Sequence, residues 1–306
     1  PHSMRPVLLD CDTGIDDAVA LTYLACLHRQ GTINLAAVTT TAGNTSAAQA
    51  AMNSRFVLDQ CSLVDVPVAA GCTEPLQVPL VTTPETHGPL GVGYAEHSVD
   101  LPPAQPGEWM CLWDQAIREH EDLHLIVTGP ATNLATYMKQ RGQLPTHITL
   151  MGGAYLYPGN TTPTAEWNSW VDPHAAQVAF KHTPTPITVC SLEVTERMVI
   201  TLDDLPLLPE FLHPMLRFYF EFHQAQEEGY QAQIHDLLTC MVALDTVPYQ
   251  AIPVTVDVEN TSQLLRGTTV ADFKNHWGRP HNARLVRDAD VRAAKRELVG
   301  VVKQLL

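Results

Sequence analysis

The chain alternates short apolar runs, which have the length of buried strands, with longer stretches rich in Ala and Leu that have the pattern of helices. Residues 7–9 and 16–28 form the first such pair, residues 35–39 and 46–58 form the second, and residues 252–258 form a late strand. Strands that alternate with helices favour a mostly parallel sheet that is covered by helices on both faces. We therefore predict an α/β fold of this architecture.

Polar residues follow several of the predicted strands at the point where each strand ends. They are Asp10 and Asp12, Asn44, Thr128, and the pair Gly152-Gly153. In open parallel sheets, ligands bind outside the carboxyl ends of the strands. The sequence therefore predicts a ligand site at this edge of the sheet.

The charge balance of the chain restricts its partners. Its 306 residues contain 18 Lys and Arg against 33 Asp and Glu, which gives a formal net charge of −15. Proteins that bind nucleic acid need a basic surface, and none is visible in this sequence. The longest apolar runs are also shorter than the roughly 18 residues of a membrane helix. We expect a protein that binds neither nucleic acid nor a membrane.

The cysteines and the start of the chain bear on the cellular compartment. The chain has 7 Cys, an odd number, without a CxxC pair or the close spacing of a disulfide scaffold. Reduced thiols are typical of intracellular proteins, and the chain does not begin with a charged and then apolar signal sequence. We therefore expect a cytoplasmic protein.

The length of the chain allows one large domain or two domains of average size. No Ser/Gly linker, charge block or internal repeat divides the sequence, so we predict one domain over residues 4–306. Pro1, His2 and Ser3 precede Met4 and have the composition of an expression-tag remnant.

Four carboxylates follow the first strand within a short segment, at Asp10, Asp12, Asp16 and Asp17. Helix capping and the helix dipole favour acidic residues at a helix start, which would account for Asp16 and Asp17 but not for the other two. Like charges this close repel each other unless protons or a cation compensate them. Oxygen ligands suit a hard cation, so the segment predicts a Ca²⁺ or Mg²⁺ site.

Three motifs can be compared with this acidic segment. An EF-hand loop that began at Asp10 would need Glu at its twelfth position, where this chain has Leu21. A haloacid-dehalogenase-type phosphatase would use Asp10 as nucleophile and Asp12 as acid–base, but Gly14 stands where that motif has Thr or Val. The third pattern, Asp-x-Asp-x-x-x-Asp-Asp, matches in full. The phosphatase is kept as the alternative enzyme class.

Further blocks follow in order, and together the set resembles nucleoside hydrolases of the inosine–uridine-preferring type. In chain order these blocks are 39–44, 87–88, 128–135, 151–154, Asn160, 165–168, 171–173 and 235–236. Because these blocks follow one another in order over most of the chain, the resemblance does not depend on any single motif. It implies a nucleoside-hydrolase-like, Rossmann-like fold and hydrolysis of the N-glycosidic bond of ribonucleosides, as in purine and pyrimidine salvage.

The resemblance also implies a metal site with one Ca²⁺. Its ligands would be the carboxylates of Asp12, Asp17 and Asp236 and the backbone carbonyl of Thr128, with Asp10 as a supporting carboxylate. Asp12 would in addition act as the general base.

The residues that bind the nucleoside follow from the same resemblance. The ribose side of the site would contain Asp16, Asn44, Met151, Asn160, Glu166, Trp167 and Asn168. His87 and His235 would flank the nucleobase, and His235 is a candidate to assist its departure. Tyr230 is a second candidate for that role, although His223 or Phe222 could occupy the position of this upstream Tyr instead. The family forms dimers and tetramers, so we expect a homodimer or homotetramer.

The chemistry of an N-glycoside gives these residue types a physical rationale. As the bond breaks, the sugar becomes cationic and the leaving base becomes anionic, and carboxylates around the ribose stabilise the positive charge. A bound cation orients the attacking water and lowers its pKa, while Asp12 takes the proton. A catalytically degenerate protein that binds ribose compounds without turnover is the remaining alternative.

Overall fold

The computed structural model describes residues 4–306 and contains a central sheet of eight strands and two small sheets of two strands. The predicted tag remnant, residues 1–3, lies outside the described residues. In chain order the strands are β1 (Arg5–Cys11), β2 (Ile33–Thr40), β3 (Val68–Ala70), β4 (His124–Val127), β5 (His147–Met151), β6 (Ile187–Cys190), β7 (Val199–Thr201), β8 (Gln231–Gln233), β9 (Tyr249–Val254), β10 (Val256–Val258), β11 (Thr269–Ala271) and β12 (Ala283–Ala289).

The central sheet is mostly parallel. Its strand order is β3-β2-β1-β4-β5-β6-β12-β9, and every neighbouring pair is parallel except β12 with β9. In the small sheets, β7 pairs with β8 and β10 pairs with β11, both antiparallel. The predicted mostly parallel sheet is confirmed.

Helices cover both faces of the central sheet, as predicted. In chain order they are α1 (Ile15–Arg29), α2 (Ala47–Gln60), α3 (Pro84–His87), α4 (Glu108–Glu119), α5 (Thr132–Gln140), α6 (Trp167–Val171), α7 (Pro173–His182), α8 (Leu192–Thr195), α9 (His213–Ala225), α10 (His235–Ala243) and α11 (Val291–Val302). On one face, α1, α2, α9, α10 and α11 form one apolar cluster with the sheet, and on the other face α4, α5 and α7 form a second. Within residues 4–306, no helix has both the length and the apolar character that crossing a bilayer requires.

Helix α1 lies at the centre of its layer, and its sequence explains why. From Ile15 to Leu27 every residue of α1 is buried, since a helix that is apolar on all sides needs cover on all sides. Helices α2, α9, α10 and α11 provide that cover. Because α1 begins three residues after Asp12, its burial fixes the acidic segment against the end of β1.

The late part of the chain differs from the sequence prediction. The strand predicted over residues 252–258 is two strands, because the chain pairs with β12 up to Val254 and with β11 from Val256 onward. The elements α4, β12 and α11 have no counterpart in the prediction. Helices α4 and α11 each bury one apolar face, a spacing typical of amphipathic helices that the sequence analysis missed.

The strand order creates a crevice at the carboxyl ends of β1 and β4. From β1 the chain moves outward to β2 and β3, and it then returns to the other side of β1 with β4. Ligands of open α/β sheets bind at such a switch point. Asp12 directly follows β1 and Thr128 directly follows β4, so the predicted site residues lie at this crevice.

We expect the substitution Leu125→Ala to destabilise the fold strongly. Leu125 is fully buried in β4, between β1 and β5, and the cavity left by a deleted leucine side chain costs about 2–5 kcal/mol. Urea denaturation followed by circular dichroism measures the free energy of unfolding. Leu264→Ala is the matched control, because Leu264 is 83% exposed and its loss should cost about 0.5 kcal/mol or less. Equal effects at the two positions would contradict the assigned core.

Candidate active site

A cavity of about 530 Å³ opens at the crevice between β1 and β4. The predicted site residues that line it are Asp12, Asp16, Asn44, His87, Thr128, Met151, Asn160, Glu166, Trp167, Asn168, His235 and Asp236. Asp10, Asp17 and Tyr230 do not line it. The fold thus brings most of the predicted residues together from segments between β1 and α10.

Carboxylates crowd together at this cavity. Asp16, Asp17 and Asp236 are buried, and each places one carboxylate oxygen within 4.8 Å of the other two. Asp12 lies beside them and accepts a hydrogen bond from the Asn44 N–H at Oδ2, 2.8 Å away. Its Oδ1 atom is buried and has no hydrogen-bond partner among residues 4–306. The tightest group therefore contains Asp16, to which the sequence analysis gives a ribose-binding role, rather than Asp12.

Burial makes these carboxylates hard to ionise together. Burial, with the charge of Asp17 as the second cause, raises the pKa of Asp16 to about 8. The same two causes raise the pKa of Asp12, and burial together with the neighbouring carboxylates raises the pKa of Asp236. The group carries more negative charge than its surroundings compensate, so it needs protons or a cation.

The donor atoms of this group fit a hard divalent cation. The carboxylates offer only oxygen atoms, and Asp12 Oδ1 is a buried acceptor that a cation would satisfy. Ca²⁺ and Mg²⁺ prefer oxygen ligands, whereas zinc prefers sulfur and imidazole nitrogen. The residues present therefore fit the Ca²⁺ that the sequence resemblance implies.

Hydrogen bonds hold Asp17 at the back of the group. The Thr128 hydroxyl donates to its Oδ1 at 2.9 Å, and the Gly14 N–H donates to its Oδ2 at 3.1 Å. The Asn44 side-chain amide donates to the same Oδ2 at 3.3 Å. The carbonyl of Thr128 accepts a hydrogen bond from Asn168 Nδ2 at 3.0 Å. Asp17 thus joins the start of α1 to the ends of β2 and β4.

Asp10 lies behind the cavity and is fully buried. Its Oδ1 accepts hydrogen bonds from the Thr39 hydroxyl at 2.8 Å and from the Asn133 amide at 2.7 Å. The Trp113 indole N–H in turn donates to the Thr39 hydroxyl at 2.9 Å. Burial raises the pKa of Asp10 to about 7. Because Asp10 does not face the cavity, it is poorly placed for the nucleophile role that the phosphatase alternative requires.

Two glycines let the backbone approach the acidic group closely. A Cβ atom on Gly43 would lie 2.3 Å from Asp12 Oδ2. A Cβ atom on Gly14 would lie 2.6 Å from Asn44 Nδ2 and 2.7 Å from His87 Nδ1. These distances are shorter than van der Waals contact, so a residue with a side chain would displace the groups that form the site.

Glu166 and Asn168 form another wall of the cavity. Glu166 caps α6, since its Oε1 accepts from the N–H groups of Gly153 at 2.8 Å and Ser169 at 3.1 Å, and its Oε2 accepts from the Asn168 N–H at 2.6 Å. Burial nevertheless raises the pKa of Glu166 to about 7. The Asn168 amide donates to the Met151 carbonyl at 3.0 Å. Both side chains are therefore held in fixed positions by the backbone.

The loop between β5 and α6 carries Asn160 to the cavity, and the first residue of α6, Trp167, lies next to it. Asn160 is exposed, and its Oδ1 accepts a hydrogen bond from the Trp167 N–H at 3.0 Å. The indole of Trp167 stacks on Trp170 with 5.9 Å between ring centroids. Among the described residues, its buried indole N–H has no acceptor, so this donor is available to a ligand.

Two histidines, His87 and His235, line the cavity as neutral rings. Burial lowers the pKa of each imidazole to about 3. His87 Nδ1 accepts a hydrogen bond from the Ile15 N–H at 2.9 Å, so the ring proton lies on Nε2. His235 Nδ1 shares a hydrogen bond with the Thr195 hydroxyl at 2.8 Å. Both rings are fixed by these contacts and act as uncharged hydrogen-bonding groups at neutral pH.

Helix α9 supplies a wall of the cavity. Of the three residues considered for the position upstream of His235, Phe222 and His223 line the cavity, whereas Tyr230 is 37% exposed and packs against Phe220. Tyr219 also lines the cavity, and the sequence analysis missed it. Residues three and four apart share one helix face, so the spacing of Tyr219, Phe222 and His223 indicates that their rings lie together on one side of α9. The same spacing is typical of core packing, and it does not separate the two roles.

Polar residues around the rest of the cavity were also missed. They are Thr83, Glu85, Thr86, Thr161, Glu196, Gln226, Glu228 and Gln233. They come from α3, from β8 and from loops and helix ends, and no spacing in the sequence connects them to the acidic segment. Only the folded chain shows that they share one cavity.

Comparison with known proteins agrees with the resemblance. The family described as "Inosine-uridine preferring nucleoside hydrolase" matches residues 7–296. The pyrimidine-specific ribonucleoside hydrolase RihA of Shewanella sp. (strain MR-7) is 34% identical over 298 residues, which cover 94% of this chain and 92% of that protein. The inosine-uridine preferring nucleoside hydrolase of Leishmania major is 33% identical over 293 residues, which cover 92% and 91%.

A solved structure gives the same result for the fold. The purine-preferring ribonucleoside hydrolase from Gardnerella vaginalis superposes with a TM-score of 0.86 at 25% sequence identity, over 98% of this chain and 100% of that chain. The predicted nucleoside-hydrolase-like fold is confirmed. From the family match over nearly its whole length, the chain belongs to the inosine-uridine preferring nucleoside hydrolases.

Proposed function

We propose that this chain hydrolyses the N-glycosidic bond of ribonucleosides and releases ribose and the free nucleobase in nucleoside salvage. The observation that carries the proposal is a cavity with a cluster of buried carboxylates and, among the described residues, no Lys or Arg in its lining. Such a cavity suits an uncharged substrate whose sugar becomes cationic in the transition state. It does not suit a phosphate ester, which needs compensating positive charge.

In this proposal, Asp12, Asp17, Asp236 and the carbonyl of Thr128 hold one Ca²⁺, and Asp10 supports them from behind. When bound, such an ion lowers the pKa of a coordinated water and orients it. The close approach of Asp16 to Asp17 and Asp236 supports a position of Asp16 beside the ion, from where its carboxylate would contact the ribose.

Asp12 acts as the general base. Its Oδ2 is fixed by the Asn44 N–H, and its Oδ1 has no hydrogen-bond partner among residues 4–306. Because each carboxylate oxygen has two lone pairs, Oδ1 can contact the ion with one and accept a proton with the other. A positioned base of this kind contributes about 10²- to 10⁴-fold to the rate.

The remaining carboxylates and amides bind the ribose and stabilise its charge. The proposed ribose contacts are Asp16, Asn44, Met151, Asn160, Glu166, Trp167 and Asn168. Negative charge in a dry cavity favours an oxocarbenium-like sugar more strongly than it favours the neutral substrate. These residues therefore act mainly on the transition state.

The leaving nucleobase is assisted by His235 in this proposal, and His87 forms the adjacent wall. If the Thr195 hydroxyl donates to His235 Nδ1, the ring presents Nε2–H as a donor to the departing base. Tyr219, Phe222 and His223 line the same cavity and are better placed for this wall than Tyr230.

The domain organisation, the oligomeric state and the cellular compartment are also proposals. The central sheet contains both the first strand, which begins at Arg5, and the last, which ends at Ala289, and this supports one domain over residues 4–306. By the family relationship we propose a homodimer or homotetramer that acts in the cytoplasm, and light scattering after size-exclusion chromatography measures the assembly.

We expect ribose release to require the cation. A panel of inosine, adenosine, guanosine, uridine and cytidine, assayed for reducing sugar, should give turnover with Ca²⁺, no turnover after EDTA treatment, and recovery when Ca²⁺ is added back. The panel also ranks purines against pyrimidines. Full activity after exhaustive treatment with EDTA would contradict the metal assignment. No release from any of the five, by folded and Ca²⁺-loaded protein, would contradict the reaction itself.

We expect Asp12→Asn to lower kcat by about 10²- to 10⁴-fold, because the amide cannot take the proton. Circular dichroism and the melting temperature should show that the fold is retained. The matched control is Asp65→Asn, which makes the same change at an exposed position and should leave kcat as it is. Retained turnover in Asp12→Asn would rule out the general-base role.

We expect His235→Ala to slow hydrolysis only of those substrates whose leaving group needs a proton. The variant should hydrolyse natural nucleosides about 10²-fold more slowly but should hydrolyse p-nitrophenyl riboside at nearly the wild-type rate, because nitrophenolate leaves without a proton. His182→Ala, at an exposed position on α7, is the control. An equal loss on both types of substrate would show that His235 has no role in leaving-group departure.

A further inference from the structure

Two histidines stand side by side at the amino ends of β4 and β5, the edge of the sheet opposite to the cavity. His124 and His147 are the first residues of these parallel strands and pair directly in register. Directly paired residues of neighbouring strands project from the same face of a sheet. The two imidazole rings accordingly stack, with 4.3 Å between centroids and 20° between planes.

A carboxylate completes this group. Asp122 Oδ1 lies 2.7 Å from His147 Nε2, and Asp122 Oδ2 lies 4.0 Å from His124 Nε2. One ligand atom from each of the three residues lies within 4.8 Å of the others. The Asp122 side chain is 69% exposed, so it can rotate to meet an ion without distorting the strands.

The donor chemistry of this group differs from that of the hydrolytic site. Two imidazole nitrogens and one carboxylate form a ligand set for zinc and its neighbours among the transition metals, whereas Ca²⁺ prefers oxygen alone. Burial, followed by the neighbouring His147, lowers the pKa of His124, which keeps a nitrogen lone pair free for a metal. Other charges nearby are Arg5, which disfavours a cation, and Asp245, which favours one.

We propose that Asp122, His124 and His147 bind a divalent transition-metal ion of the Zn²⁺ type at the amino edge of the central sheet. Because the imidazole planes are nearly parallel, the partly exposed side chains of His147 and Asp122 would rotate on binding so that the three groups supply three ligands of a tetrahedral ion, with water as the fourth. A metal there joins the starts of β4 and β5 to the loop before β4, and it stabilises the folded chain because the unfolded chain lacks the preformed group. The proposal is independent of the hydrolytic activity.

Isothermal titration of the Ca²⁺-loaded protein with ZnCl₂ tests the proposal. Wild type should show a binding step that is at least about tenfold weaker in His147→Ala and in Asp122→Asn, since even a residue that only supports a ligand changes affinity by roughly 10- to 100-fold. His182→Ala, which removes an exposed histidine elsewhere, should bind like wild type. Ca²⁺ loading occupies the carboxylate cluster, so the difference between variants reports on the histidine pair.

Two further measurements accompany the titration. Zn²⁺ should raise the melting temperature of wild type but not of His147→Ala, and ribose release by His147→Ala without Zn²⁺ should equal that of wild type, which shows that the variant is folded. If wild type and His147→Ala bind Zn²⁺ with the same affinity and stoichiometry, the proposal is overturned. The group would then be only a hydrogen-bonded His–Asp pair.

Discussion

The structure depends on the burial of five carboxylates at one edge of a parallel sheet. Each of these side chains is at most 5% exposed: Asp10, Asp12, Asp16, Asp17 and Asp236. Removing ionisable carboxylates from water costs desolvation free energy, which apolar packing alone does not offset. Donors from β2, β4 and α5 compensate part of this cost. The protein must therefore hold the ends of several strands and helices together before the site exists, and the burial of α1 on all sides helps to do so.

Much of this arrangement could be predicted because it is local. The acidic segment connects one strand to one helix, and the alternation of strands and helices along the chain determines that the strand ends meet at one edge. The fold class, the coverage of both faces and the family are confirmed. The roles of Asp12, His235 and the other site residues stay predictions.

Other parts could not be predicted, because they depend on contacts between distant segments. The spacing of the aromatic residues that include Tyr219 is also the spacing of residues on the buried face of any amphipathic helix. The sequence alone does not determine which face of α9 contacts α1 and which faces a ligand. The pairing of His124 with His147 follows from strand register, which a single sequence does not specify. Tyr230 lies near the right segment in sequence, but packing against Phe220 turns it away from the cavity.

The tight glycine contacts have a consequence for how this protein can change. At Gly43 only one amino acid fits, since any side chain would collide with Asp12, so the sugar-and-metal half of the cavity tolerates almost no variation. Helix α9 is restricted in part, because Met215, Leu216 and Phe220 are buried in the apolar cluster that covers α1. Phe222 on α9 and Gln226 just after it line the cavity without being fully buried. A library that randomises these two positions and leaves the glycine turns intact would explore new nucleobases at little risk to the fold.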